Sequence, residues 1–208
     1  MKYIFMAGAP GSKWSSVSKN IYYSADVDCS DYTDARTYYH DAGGQTELMH
    51  MGAYFDPGME FDLPENMSTL TKEQSEEKFD APFSGDGVRI VKSHIFSYKH
   101  NIDYLKSLWP ESPVILVQRS DDACLGWWVK CGHFNITYPL YNKYYIDLKT
   151  MAQIIKKQNE GIATAITEYS RNKKNPATNL ELCSFLGIAP PDNYIQHYQS
   201  NDIKVTVI

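Results

Sequence analysis

The apolar run Tyr3 to Ala7 leads directly into Gly8-Ala-Pro-Gly-Ser-Lys-Trp-Ser-Ser16, and Trp14, Val17 and Ile21 then recur at helical spacing. A strand without polar alternation has two faces to bury, so it belongs inside a sheet that is covered by helices on both sides. The glycines end the strand and the new spacing starts a helix, giving strand, tight loop, helix. Such a loop presents backbone N–H groups and the positive end of a helix dipole, and the oxygens of a phosphate need several donors at once. Gly8, Gly11, Ser12, Lys13, Ser15 and Ser16 fit that need. Glycine turns also join strands to helices where no ligand binds; the lysine and the paired serines are what favour an anion here.

Two later apolar runs end in the same manner. Val88 to Val91 finishes on Lys92-Ser93-His94, and Val114 to Val117 on Gln118-Arg119-Ser120. Near-continuous apolar strands separated by long, partly helical stretches predict an α/β fold, a single-domain parallel sheet flanked by helices over residues 1–208. Ligands of such sheets bind outside the carboxyl ends of the strands, where the loop, His94 and Arg119 would meet. Leu148, Met151, Ile155, Ile162, Ile166 and Tyr169 mark an amphipathic helix between Tyr145 and Tyr169, despite Gly161. The polar stretch from Asp62 to Gly87 reads as a surface excursion or lid, with Thr71 to Gln74 as a capping box for a helix through Phe79. Pro190 and Pro191 end the segment Leu180 to Ile188, and the last residues read equally as a strand or a loose tail.

Charge and cysteine usage narrow the partners. A net charge of −5 argues against broad binding to nucleic acid or to an anionic membrane, and leaves a small anionic ligand as the expected partner. No apolar run approaches the ~20 residues that cross a bilayer. The start, Met1 to Ala9, is shorter than a signal-peptide core and reads as a buried strand. Cys29, Cys124, Cys131 and Cys183 are irregularly spaced, which suits free thiols and a cytoplasmic location. Zinc held by Cys124, Cys131 and His133 is disfavoured, because structural sites pair ligands at closer spacing.

The loop is similar to those of two families. P-loop kinases carry GxxxxGK followed by Ser or Thr; here Lys13 follows GAPGS directly, and Trp14 stands at the magnesium-binding position. Sulfotransferases carry Pro, a basic residue, Ser, Gly, Thr, Thr; Pro10 and Ser12 align, Gly11 takes the basic position, Lys13 the Gly, and Trp14-Ser15 the two Thr. The segments V-K-S-H at 91–94 and V-Q-R-S at 117–120 resemble the sulfotransferases that use 3′-phosphoadenosine 5′-phosphosulfate, and Leu182 to Gly187 resembles their late helix ending in Phe-Leu-Gly. The family's Arg-Lys-Gly cofactor loop has no counterpart, and Arg171, Lys173 and Lys174 read as a solvated helix end.

That resemblance implies a P-loop-containing nucleotide hydrolase-like architecture, a sulfuryl donor as co-substrate and no metal. It implies His94 as general base, with Lys13 and Lys92 aimed at the charge that builds on the leaving oxygen. The nucleotide would be held by Pro10, Gly11, Ser12, Lys13, Trp14, Ser15 and Ser16, and its 3′-phosphate by Arg119, with Ser120 replacing the Ser the family has where Trp127 stands. The bland alternative for Arg119 is an ion pair with Asp121 or Asp122. A P-loop phosphotransferase using ATP and magnesium, and a nucleotide-binding protein of the same fold without chemistry, are the alternative functions.

The acceptor is expected to be a small molecule or a glycan. The Tyr-rich stretch from Tyr22 to Tyr39 and the segment His50 to Phe61 interleave aromatic and acidic residues that suit the wall of an acceptor pocket, although core packing explains most such rings. His50 near Asp56 or Glu60 is a spare acid–base pair, whereas His40, His100, His133 and His197 have no motif around them.

Overall fold

The computed structural model describes residues 1–36, 38–41, 46–130, 145–192 and 202–208. Cys131, His133 and His197 lie outside the described residues. The first strand, β1 (Tyr3–Gly8), is buried along its whole length and is central in a four-stranded open sheet of order β4-β1-β5-β6. Its parallel neighbours are β4 (Arg89–Lys92), with Tyr3 opposite Arg89 and Met6 opposite Lys92, and β5 (Val114–Gln118), with Phe5 opposite Val114 and Gly8 opposite Val117. The last residues are a strand: β6 (Lys204–Val207) runs antiparallel to β5, so the sheet is mostly parallel. A separate antiparallel hairpin joins β2 (Tyr38–Asp41) and β3 (Thr46–His50).

The pleat of β1 sorts the core into two layers. Tyr3, Phe5 and Ala7 face a cluster that includes Phe79, Ile102, Leu105, Trp109 and Ile162. Those residues come from α2 (Lys72–Asp80), α3 (Lys99–Leu108), the residue that follows α3, and α5 (Leu148–Glu168). Ile4 and Met6 face the other way, onto Val17 and Ile21 of α1 (Trp14–Tyr22) and Leu182 and Leu186 of α6 (Asn179–Leu186). The chain is therefore α/β with helices on both faces of the sheet. Tyr3, Phe5, Phe79 and Trp109 pack ring to ring at centroid separations of 5.5 to 6.1 Å. Burial of each ring contributes roughly 1.5–3 kcal/mol, which makes this layer the principal support of the sheet.

Local chemistry sets the helix boundaries. Thr71 Oγ1 accepts from the Gln74 amide while the Gln74 side chain accepts from the Thr71 amide, the capping box expected from sequence. The stretch 62–87, expected as an excursion or lid, anchors itself in the aromatic layer through Leu63, Met67, Phe79 and Phe83. In α5, Asp147 caps the N-terminus, and Gly161 lets the Ser97 carbonyl approach so closely that a Cβ would lie 2.3 Å from it. The helix thereby seats against the turn that carries His94. Among the described residues, no helix is long and apolar enough to cross a membrane.

Candidate functional site

The loop after β1 is a short hairpin of backbone with two left-handed residues. Gly11 has φ 79° and Lys13 φ 62°, while Ser12 between them is not in that region. Alternation of this kind turns successive N–H groups toward a common concavity. Gly11 is required twice over, because a Cβ there would also lie 2.0 Å from the Cys124 carbonyl oxygen. Lys13 is the N-cap of α1 and makes no side-chain cap bond, so no capping side chain occupies the helix N-terminus. Ser12 is fully buried, and its hydroxyl has no hydrogen-bond partner among the described residues. It sits against Gly8, where a Cβ would be 2.5 Å from Ser12 Oγ, so the hydroxyl points back into the loop. The Ser12 N–H closes a turn on the Ala9 carbonyl at 2.9 Å, and its buried, unmatched hydroxyl is the kind of group an anion would complete.

His94 meets this loop from the end of β4. Strand geometry stops at Lys92; Ser93 is extended and caps a 3₁₀ turn, His94–Ser97, through its side chain. His94 Nδ1 lies 2.5 Å from the Gly8 carbonyl oxygen, a separation that requires the proton on Nδ1. The lone pair of the neutral ring is then on Nε2; the Trp14 indole nitrogen packs across the ring, 3.0 Å from Nδ1 and 3.4 Å from Nε2. Asp56, fully buried, accepts from Ser93 Oγ and from the His94 amide at 2.6 Å, and from the Tyr145 hydroxyl at 3.3 Å. Its second oxygen stands 3.8 Å from His94 Nε2. The rings of Trp14, Tyr54 and Tyr145 meet the imidazole edge-on at 5.3, 5.6 and 6.5 Å. Burial in this box holds His94 below the usual histidine pKa, against the opposing pull of Asp56 and the Gly8 carbonyl. A neutral imidazole with a directed lone pair is the form that takes up a proton.

Arg119 meets the loop from the end of β5. Its guanidinium donates to the Gly11 carbonyl at 2.9 Å and forms an ion pair with Asp202 at 2.7 Å, not with Asp121 or Asp122, the partners of the alternative reading. The Arg119 carbonyl accepts from Asn159 on α5 at 2.9 Å, so strand end, loop and helix are cross-linked. Beside them stands Trp127 on α4 (Asp121–Lys130). Lys13 Nζ lies 4.7 Å from its ring centroid, Lys130 Nζ 5.6 Å and the Arg119 guanidinium carbon 5.9 Å. Three cations thus gather around one indole ring beside the loop, a concentration of positive charge in a chain of net charge −5.

The remaining expected residues are distributed as follows. Pro10 and Trp14 are buried in the loop and first turn, and Ser15 and Ser16 are half-buried there. Ser120 is exposed, and its Oγ is 3.4 Å from the Ala123 amide, a helix-capping position for α4. Lys92 is not brought to the loop. It shares the Met6 face of the sheet, where its fully buried Nζ donates to the Met51 carbonyl and lies 5.3 Å from the Tyr22 ring centroid. Asp56 is turned to Ser93 and His94, and Glu60 pairs with Arg36 at 2.7 Å; the side chain of His50, their expected partner, lies outside what is described. Among the described residues, no group of three or more His, Cys, Asp or Glu side chains is arranged to hold a metal ion.

Three contributors were outside the residues expected from sequence: Tyr145, Trp127 as a cation platform, and Asp202. Asp56 and Tyr54 had a signal, since both fall in the aromatic and acidic segment 50–61. Asp202 had none, because an acid far along the chain pairs with Arg119 only once β6 lies beside β5. No protein-family model matches the chain, and no curated protein or solved structure matches it either.

Proposed function

We propose that the protein is a sulfotransferase that moves a sulfuryl group from 3′-phosphoadenosine 5′-phosphosulfate to a hydroxyl of a small molecule or glycan. The loop cradles the 5′-phosphosulfate. His94 Nε2 removes the acceptor proton as the acceptor oxygen attacks sulfur in line. The new O–S bond forms as the bond from sulfur to the 5′-phosphate oxygen breaks, leaving a sulfate ester and 3′-phosphoadenosine 5′-phosphate; the proton on His94 then passes to solvent. Loop amides and Ser12 stabilise the charge on the departing oxygens, and Lys13 joins them when it leaves the Trp127 ring. Arg119 retains donors beyond those given to Gly11 and Asp202, and these serve the 3′-phosphate.

The observation that carries this reading is that the residues after β4 and β5 both bond to the loop after β1: His94 to the Gly8 carbonyl and Arg119 to the Gly11 carbonyl. One observation favours a binding-only protein of the same fold: Lys13 Nζ rests over Trp127 and Lys92 Nζ on the Met51 carbonyl, so neither lysine points into the loop.

Calorimetric titration with 3′-phosphoadenosine 5′-phosphate against ADP plus magnesium tests the ligand. Preference for the 3′-phosphorylated nucleotide, lost in Arg119→Ala, is expected; a magnesium-dependent preference for ADP sinks the reading. Transfer of labelled sulfate to a panel of sugars, phenols and amines then tests the chemistry, with His94→Gln expected to lower kcat by about 10²–10⁴-fold. Tight nucleotide binding with no transfer across the panel would leave the binding-only protein.

A further inference from the structure

The carboxylate of Asp56 is placed in a manner that packing does not require. It is fully buried, and Oδ1 is held by two donors from the His94 turn itself, the Ser93 hydroxyl and the His94 amide. The other oxygen faces His94 Nε2 and is steadied by the Tyr145 hydroxyl. The Gly8 carbonyl fixes the proton on Nδ1, so Nε2 is the atom that gains a proton, and Asp56 is the only carboxylate paired with that ring among the described residues. The other titratable groups facing the imidazole are the phenols of Tyr54 and Tyr145.

We infer that Asp56 is a positioning residue for His94: its carboxylate locks the ring at the loop through the Ser93–His94 backbone and supplies the counter-charge when Nε2 is protonated. The inference rests on the sulfotransferase reading for its role in turnover, but not for the coupling itself. When the neutral imidazole takes the acceptor proton, the imidazolium lies between the Gly8 carbonyl at Nδ1 and Asp56 Oδ2 at Nε2. In a box walled by Trp14, Tyr54 and Tyr145, water contributes little to stabilising that cation, so the carboxylate must. A slight closure of the 3.8 Å separation converts it to a charged hydrogen bond. The Trp14 indole nitrogen, 3.4 Å from Nε2 and 3.0 Å from Nδ1, leaves Nε2 to the acceptor hydroxyl when the acceptor binds.

The test is Asp56→Asn, which preserves shape and one acceptor but removes the charge. His94 is followed by 1H–15N NMR of the imidazole, with His94→Gln to assign it, and turnover by the pH profile of kcat/KM. Asp56→Asn is expected to move both the His94 titration and the acid limb of the profile to lower pH, and to lower kcat/KM by about tenfold or more. A folded Asp56→Asn protein whose His94 titrates as in the wild type overturns the inference. Should Asp56→Asn fail to fold, Tyr145→Phe decides: loss of the phenol donor leaves Oδ2 with more of its charge for the imidazolium, so the His94 titration rises. An unmoved titration in that variant assigns Asp56 a scaffold role only. Because the NMR titration needs no substrate, absence of sulfuryl transfer in the wild type sinks the proposed reaction while leaving the coupling intact.

Discussion

Two buried acid–base clusters stand two residues apart in sequence, and they differ in what they leave unmatched. At Lys92 the cluster is closed. Lys92 donates to the Met51 carbonyl, Asp31 accepts from the Tyr22 hydroxyl and the Ala53 amide, both at 2.6 Å, and Cys29 donates to the Tyr22 carbonyl. At His94 the cluster opens onto a loop with an unmatched Ser12 hydroxyl and a helix N-terminus without a side-chain cap. Burial raises the Cys29 thiol to about 11 and pushes the Tyr22 phenol up as well, so the Lys92 side holds its neighbours protonated and inert. Buried charge alone therefore does not mark a functional site. What sets the His94 cluster apart is unsatisfied hydrogen-bonding capacity at the carboxyl ends of parallel strands, where ligands of such sheets bind.

Asp31→Ala is expected to have the largest effect on the Lys92 cluster. It strands the Tyr22 hydroxyl, the Ala53 amide and the charge of Lys92, and is expected to cost about 3–5 kcal/mol in urea unfolding while nucleotide affinity and the His94 titration stay unchanged. Loss of nucleotide binding at unaltered stability would erase the distinction between the two clusters.

A pH series sharpens it. Burial lowers the Lys92 pKa from 10.5 to about 8, with Asp31 opposing. Between those values the unfolded chain holds a proton that the native protein has released, so unfolding takes up a proton and the Lys92 contribution to stability rises with pH. Below about 8 both states are protonated and the contribution is flat at its least favourable value. The stability difference between wild type and Lys92→Met should therefore shift in favour of the wild type by roughly 3 kcal/mol on going from neutral pH to 10.5. A flat difference would mean that Lys92 titrates as it does in water.

The smallest effect concerns the loop. Lys13 holds φ 62°, a region that favours glycine, so Lys13→Gly is expected to stabilise the protein by about 1 kcal/mol in thermal or urea unfolding. The same change is expected to weaken binding of 3′-phosphoadenosine 5′-phosphate by roughly tenfold, because the mobile cation is lost. Gain of stability with unchanged affinity would show that Lys13 stays on Trp127 in the complex.

The comparison also explains what the sequence could and could not reveal. Lys92 and His94 read as one motif through the V-K-S-H resemblance, and residues two apart share a face only while a strand continues. The strand ends at Lys92, Ser93 starts a 3₁₀ turn, and the shared face is lost; one side chain goes beneath α1 and the other to the loop. Arg119 was legible as a strand-end cation, but its partner was not, since Asp121 and Asp122 are near in sequence while Asp202 is near only in space. Trp127 stood out in the sequence as the residue in place of a phosphate-binding serine, and in the structure the same ring gathers Lys13, Lys130 and Arg119.

What the sequence determined by itself is local and periodic: an apolar first strand, glycines where the chain turns, the capping box at Thr71, the long helix with its glycine, and a loop rich in donors. Each follows from a residue's own conformational limits or from its neighbours within one turn or one pleat. Pairing at a distance emerges only in the folded chain: Asp56 with His94, Asp202 with Arg119, and the separation of Lys92 from the loop that its motif adjoins. These depend on strand order and on where a strand stops, which are set by the packing of the whole core and not by the residues of any one motif.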